Sequence, residues 1–261
     1  MTAELISSAQ NPKIKRLLAL QQKSQERRKS GLFVVEGRRE VERCLRNGYQ
    51  LDTVFVCDEL LGSECLSLSG VRTVSVSPTI YNKVAYRGGT EGIIAVVVAK
   101  ELSLAELQLP DSPLVVVLES VEKPGNLGAV LRSADAAGVD AVIVCDPLTD
   151  LYNPNLIRSS TGAFFSVPCV ACTSAECIDF LRQRDIQILT AQLQDSSLYY
   201  DIDMRRATAI VMGTEATGLT EQWRRAADAH IRIPMLGCVD SLNVSVSAAV
   251  LMYEAVRQRK N

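Results

Sequence analysis

From residue 114 onward the chain alternates short, unbroken apolar runs with amphipathic stretches. The runs at 114–118, 141–145, 186–191 and 209–212 have strand length and no polar alternation. That is the pattern of parallel strands buried on both faces. Helices are predicted over 126–137, 174–184 and 243–259. The last carries Val244, Ala248, Leu251, Met252, Ala255 and Val256 on one stripe, which predicts an amphipathic helix. Upstream, strands are predicted at 33–35, 53–57, 72–76 and 93–98, with a helix over 38–47 that Gly48 stops. The order predicts an α/β fold twice over, with a parallel sheet in the second half. Residues 101–113 hold two prolines and no strand pattern. They divide a first domain, 1–100, from a second, 114–261, as a linker.

Composition narrows the function classes. The 261 residues are 47% hydrophobic and 22% charged, enough for two ordinary cores. Aromatic residues are only 5% of the chain, so base stacking on an aromatic platform is not expected to dominate a nucleic-acid contact. The net charge of −2 confines any RNA affinity to a local patch. Such a patch exists on paper: residues 11–46 are rich in Lys and Arg, among them Arg27, Arg28, Lys29, Arg38 and Arg39. Two readings stand, a solvated helix face and a surface that binds phosphates through counterion release. The first ten residues are polar, no export signal is expected, and no run has the length of a membrane span. The eight cysteines sit among small apolar residues. Without an export signal they read as reduced thiols of a cytoplasmic protein.

Three segments carry candidate chemistry. The first, 122–132, follows a predicted strand, and the C-terminal edge of a parallel sheet is where α/β proteins place ligands. Asn126 is read as the cap of the following helix. Helical side chains lean toward the helix N-terminus, so Arg132 would reach back over Gly128 toward the loop above the strand. An ion pair between Arg132 and Asp135, three residues on, is the competing reading. The second segment, 211–219, places Gly213 and Gly218 around Glu215, again at a strand end. An ordinary turn with Thr220 capping the next helix also accounts for it. In the third, 231–246, Ser241, Asn243 and Ser245 crowd the start of an otherwise apolar helix. Capping explains one polar residue there; the helix N-terminus also offers free N–H groups to an anion or carbonyl.

Together these segments resemble the three motifs of the SpoU (TrmH) family of the SPOUT methyltransferases. They read N-x-G-x-x-x-R at 126–132, G-T-E-x-x-G-L at 213–219, and I-P-M followed by S-L-N-V-S-V at 233–246. The stretch 160–163 and the whole length of the chain are also similar to the family. The resemblance implies a SPOUT-type parallel sheet with a C-terminal trefoil knot, preceded by a small ribosomal-protein-like α/β RNA-binding domain over residues 1–100. It implies S-adenosyl-L-methionine as cofactor, held by Met212, Gly213, Thr214, Gly218, Ile233, Met235, Ser241, Leu242 and Asn243. Catalysis falls to Asn126, Arg132, Glu215 and Asn243, with Ser241 in support. The reaction implied is in-line attack of an RNA ribose 2′-hydroxyl on the sulfonium methyl group. Arg27, Arg28, Lys29, Arg38, Arg39 and Arg87 are the candidate RNA contacts, and a homodimer is expected. The large appended domain favours ribosomal RNA over transfer RNA. Glu91 stands where the family pattern has glutamine, and Ser247 where it has alanine.

Three other classes fit the sequence less well. A binding module, an RNA- or ribosome-binding protein without catalysis, fits poorly with the intact motif residues. A Rossmann nucleotide enzyme would use Asp146 as its ribose carboxylate, yet the glycines at 125 and 128 do not make G-x-G-x-x-G. A metal site at Cys169-x-x-Cys172 lacks a second ligand pair, so no metal is expected. His230, the single histidine, reads as structural. The Asn243-x-Ser245 glycosylation pattern has no meaning in a cytoplasmic chain.

Overall fold

The computed structural model describes residues 5–62, 70–86, 91–214 and 217–260. It forms two compact units, Met1–Lys100 with Tyr152–Phe165, and Glu101–Leu151 with Ser166–Asn261. The segment 152–165 lies inside the stretch 114–261 that the linear pattern groups as one domain. Its apolar side chains are buried in the first unit, where Phe165 stacks on Phe33 with ring centroids 6.4 Å apart. Packing of Phe33 against a segment some 130 residues away has no signature in local periodicity.

The first unit is built on a four-stranded sheet of order β1-β4-β2-β3, comprising β1 (Leu32–Glu36), β2 (Leu51–Val56), β3 (Arg72–Ser75) and β4 (Ile93–Val98). β4 runs antiparallel to β1 and β2, and β2 parallel to β3. The unit's N-terminal stretch contributes the helices α1 (Pro12–Gln22), α2 (Ser24–Ser30), α3 (Arg38–Arg46), α4 (Asp58–Leu61) and α5 (Pro78–Val84). The basic stretch holds α1, α2 and α3, with β1 between the last two. Asn11 caps α1 by accepting from the Lys13 amide, with Pro12 in the first helical position. Gly31 ends α2 in the left-handed region, which a Cβ would strain. Ile14, Leu17 and Leu20 of α1 bury their stripe against Val34, Phe55 and Val96 of the sheet. The helices α7 (Pro154–Ser159) and α8 (Ala163–Ser166) follow later in the chain, and α7 packs beside β1.

The second unit holds a seven-stranded, all-parallel sheet of order β7-β6-β5-β10-β8-β11-β9. Its strands are β5 (Leu114–Glu119), β6 (Ala141–Cys145), β7 (Cys169–Cys172), β8 (Gln187–Ala191), β9 (Ser197–Leu198), β10 (Thr208–Met212) and β11 (Ala229–Arg232). Val115, Val117, Ile143 and Val211 face α9 (Ser174–Gln183) and Trp223 of α10 (Glu221–Ala226). The alternation of side chains along each strand leaves the opposite face to α6 (Pro124–Ala137) and α11 (Val244–Arg259). These two pack against one another, and α11 also packs against β10. The middle strands are buried at every position of β5, β6 and β10, which is why they read as unbroken apolar runs. Among the described residues no helix is long and apolar enough to cross a membrane.

Candidate active site

The C-terminal ends of β5, β10 and β11 and the first turns of α6 and α11 converge on one edge of the sheet. After β10 the backbone turns sharply. Thr214 and Gly218 exchange amide hydrogen bonds of 3.1 and 3.2 Å, and the Thr217 amide donates to Thr214 Oγ1 at 3.0 Å. Gly213 sits beneath this turn. A Cβ there would strike the Gly218 carbonyl and come within 2.5 Å of the Leu219 amide nitrogen, so only glycine fits. Gly218, with φ of +68°, closes the turn from the left-handed region.

A buried polar cluster holds the far end of the same loop. Glu119, the last residue of β5 and 3% exposed, accepts from the Thr220 amide at 2.8 Å and from the Thr220 hydroxyl at 2.7 Å. Thr220 is the N-cap of α10, so one carboxylate ties the loop after β10 to the end of β5. Ser174 accepts from the Trp223 indole at 3.0 Å and donates to Asp146 at 2.6 Å. Asp146 also accepts from the Ser174 amide at 3.1 Å. It serves the start of α9, so the Rossmann ribose role does not apply. Glu119 was not singled out in the sequence; its partners are 55 and 101 residues away.

Two cavities open at this edge. The first is walled by Met212, Gly213, Thr214 and Gly218, by Ile233 and Met235, and by Ser241 and Leu242. Ala191 at the end of β8 and Gln192 and Leu193 after it also line the cavity, as do Asp240, Ser247 and Leu251; none of these is a candidate from sequence. Gln192 Oε1 is buried and has no hydrogen-bond partner among the described residues. The second cavity is walled by residues 118–123, Asn126 and Val244. Gly213, Thr214 and Val244 belong to both walls, so the cavities adjoin across the β10 turn.

Asn126 and Asn243 meet beside the shared wall. Helix α6 starts two residues before Asn126, at Pro124, with Lys123 as N-cap and no side-chain cap bond. Asn126 is therefore not the cap expected from sequence, because Pro124 already sets the first helical φ. Its Oδ1 accepts instead from Asn243 Nδ2 at 3.3 Å. Asn243 does cap α11: its Oδ1 accepts from the Ser245 amide at 3.0 Å and the Ser245 hydroxyl at 2.7 Å. The three polar residues at this helix start are thus accounted for separately. Asn243 caps, Ser245 braces it, and Ser241 faces the first cavity.

Arg132 is exposed on α6, six residues after Asn126 and about 9 Å along the axis. No ion pair joins it to Asp135 among the described residues; Asp135 accepts from the Ser166 hydroxyl at 2.6 Å. Glu215 and Arg87 lie outside the described residues. His230 shares a 2.6 Å hydrogen bond with Thr190 through Nδ1.

The candidate RNA contacts separate by burial. Arg28, Lys29 and Arg39 are exposed, while Arg38 pairs with Glu42 at 3.0 Å. Arg27 corrects the sequence reading. It is 5% exposed, and its guanidinium donates to the carbonyls of Leu20 at 2.6 Å and Gln21 at 3.1 Å. The arginine is spent on the last turn of α1, whose carbonyls lack helical partners. Glu91 accepts from the Arg38 amide at 2.5 Å, so it satisfies an orphan donor at the start of α3, where the N-cap Gly37 has no side chain to do so. Charge reversal of Arg28, Lys29 and Arg39 should therefore weaken RNA binding and flatten its salt dependence. Each lost phosphate contact removes about 0.7–0.9 from the log–log slope. Arg27→Ala should leave that slope unchanged and cost about 1.5–3 kcal/mol of stability, read by denaturant titration.

A model of the SpoU rRNA Methylase family matches residues 113–253, and one of an MRM3-like substrate binding domain matches residues 11–95. The 23S rRNA (guanosine(2553)-2′-O)-methyltransferase RlmP of Bacillus subtilis is 31% identical over 248 residues, spanning 95% of this chain and 97% of that protein. A crystal structure of an RNA 2′-O ribose methyltransferase superposes with a TM-score of 0.87 at 40% identity, covering 99% of this chain and 100% of the other. AviRb from Streptomyces viridochromogenes, in complex with the cofactor AdoMet, is similar at a TM-score of 0.85 and 30% identity, over 96% and 99% of the two chains. With a family model matched over more than half its length and a relative of this similarity along nearly all of it, the chain belongs to the SpoU rRNA Methylase family.

Proposed function

We propose that the chain is an S-adenosylmethionine-dependent methyltransferase that modifies a ribose 2′-hydroxyl of ribosomal RNA. The observation that carries this reading is the pair of cavities sharing Gly213, Thr214 and Val244. Group transfer between two bound molecules requires such adjacency, because holding both partners removes most of the entropic barrier. The first cavity fits the cofactor on two counts. Gly213 lets the turn after β10 fold tightly at the cavity wall, where a Cβ would strike the backbone of Gly218 and Leu219. The buried Gln192 Oε1 has no donor among the described residues, and adenosylmethionine carries N–H donors on its adenine and its ammonium group. Membership of the family supports the same assignment, since AviRb is described with AdoMet bound.

The bound cofactor supplies an electrophilic methyl group on a cationic sulfur. The chain must bring a ribose hydroxyl up to it and ease the loss of the hydroxyl proton. Asn126 and Asn243, fixed by their mutual bond and by Ser245, present carboxamides beside the second cavity that suit ribose hydroxyls. A guanidinium is a poor general base, so Arg132 is not the group that takes the hydroxyl proton. Its role in this reading is to hold a phosphate and steady the developing charge on the ribose oxygen, with Glu215 orienting it. Ser241 supports the first cavity.

The same reading extends to assembly. Helix α11, reached from β11 near one edge of the sheet, docks against α6 and the central β10, which supports a C-terminal trefoil knot. Leu236, Val239, Val246 and Tyr253 are exposed apolar side chains on this terminal segment and support a homodimer built around it. Residues 1–100 would bind the RNA substrate through Arg28, Lys29, Arg38, Arg39 and Arg87, with 101–113 as the linker to the methyltransferase domain. The described cysteines are all free thiols, in keeping with a reducing, cytoplasmic setting. Maps of 2′-O-methylation in total RNA from cells with and without the gene test the substrate. One ribosomal ribose should lose its methyl group. Loss at a transfer RNA position would replace the substrate, and an unchanged map would remove the enzymatic reading.

A further inference from the structure

Cys172, dismissed above as half of an isolated Cys-x-x-Cys pair, has other partners in the fold. It ends β7 directly beside Cys145, the last residue of β6, and the two Sγ atoms are 4.0 Å apart. Cys177 approaches from α9, so that the three sulfurs all lie within 4.8 Å of one another. Cys145 and Cys177 are fully buried, and Cys172 is half-buried. Three sulfurs at about 2.3 Å from a central ion in a plane stand about 4.0 Å apart. The Cys145–Cys172 distance already meets that requirement, and the third sulfur needs at most 0.8 Å of closure.

The surrounding donors define which ion fits. His230, the only histidine of the chain, is engaged with Thr190 on the far side of the sheet order, so no nitrogen ligand is at hand. The nearby carboxylates are taken: Asp146 by Ser174, and Glu176 by the Thr173 amide and hydroxyl. Among the described residues, the remaining set is three sulfurs without a fourth protein ligand. Soft thiolates in that number select thiophilic d10 ions, and a three-coordinate site suits monovalent copper better than tetrahedral zinc.

We propose that Cys145, Cys172 and Cys177 form a trigonal binding site for a thiophilic d10 cation, with monovalent copper the best fit. The site sits on the α9 face of the sheet, opposite α6 and α11. Its occupancy would brace β6, β7 and α9, so thermal stability and not methyl transfer is the property it should change.

Anaerobic titration of the fully reduced chain with Cu(I), held by a competing colorimetric chelator, tests this. One equivalent should bind through the cluster, with sulfur-to-copper charge-transfer absorbance in the near ultraviolet and a rise in the thermal midpoint. Cys172→Ser should weaken that binding at least a hundredfold, while Cys169→Ser and the exposed-site variant Cys238→Ser should retain it. Cys177→Ala provides the same test should Cys172→Ser fold poorly. Binding that survives both cluster substitutions, or no tight equivalent at all, would overturn the proposal and leave three ordinary core thiols.

Discussion

Arg132→Ala should lower methyl transfer by about a hundredfold or more, the scale of losing one positioned charge stabiliser, about 2.7 kcal/mol. The expectation rests on placement. Arg132 projects from α6, the helix whose first turn carries Asn126 into contact with Asn243. Side chains on a helix lean toward its N-terminus, so the guanidinium reaches back along α6 toward the end that carries that pair. Stability should scarcely change, because the Asp135 partner that would have made Arg132 a surface-pair residue is bonded to Ser166 instead. Cofactor affinity should also hold, since Arg132 is absent from the cavity wall that includes Gly213 and Gln192. Arg132→Lys should restore little, because a point charge cannot reproduce the planar fork of a guanidinium. Full activity in the alanine variant, measured in single turnover, would take Arg132 out of the reaction.

Gly213→Val should abolish cofactor binding outright. The wild-type chain is expected to bind S-adenosylmethionine in the micromolar range, about −8 kcal/mol. The obstacle to any side chain is backbone on the opposite limb of the turn, the carbonyl of Gly218 and the amide of Leu219, which cannot swing aside as a flexible side chain would. The turn itself is clamped at both ends, by the paired amides of Thr214 and Gly218 and by Glu119 on Thr220. Even Gly213→Ala should therefore bind at least tenfold more weakly. Circular dichroism and the thermal midpoint separate a filled cavity from a collapsed fold. Micromolar binding retained in the valine variant would show that the cofactor lies elsewhere.

What the sequence made legible follows from burial and distance. The strands Ile93–Val98 and Ala141–Cys145 are apolar along their whole length, and all but Val98 of these residues are buried; their bounds match the apolar runs residue for residue. β7 escaped notice: Cys169–Cys172 is short, at the sheet edge, and only one of its four residues is fully buried. The segment at 152–165 escaped for another reason, since membership of the first unit is decided by contacts with Phe33 and Tyr49 far along the chain. At the site, glycines and capping residues leave local signatures, so the loops at Gly213, Gly218 and Asn243 were recognisable. Residues whose role is a long-range bond were not. Glu119 looks like the end of a strand until Thr220 arrives from 101 residues away. Arg27 looks like a member of a basic patch until its side chain is seen to turn inward. Gln192 and the three-cysteine cluster are visible only once β8, or β6, β7 and α9, are assembled.

The central claim is that this chain moves a methyl group from S-adenosylmethionine to a ribose 2′-oxygen. The most direct measurement incubates the purified chain with methyl-labelled cofactor and unmodified ribosomal RNA, followed by alkaline hydrolysis and nucleoside mass spectrometry. A 2′-O-methyl ribose removes the hydroxyl that alkaline cleavage requires, so the label should appear in alkali-resistant dinucleotides and be lost with Arg132→Ala. Label recovered on a base in alkali-sensitive mononucleotides, or no transfer despite bound cofactor, would contradict the account.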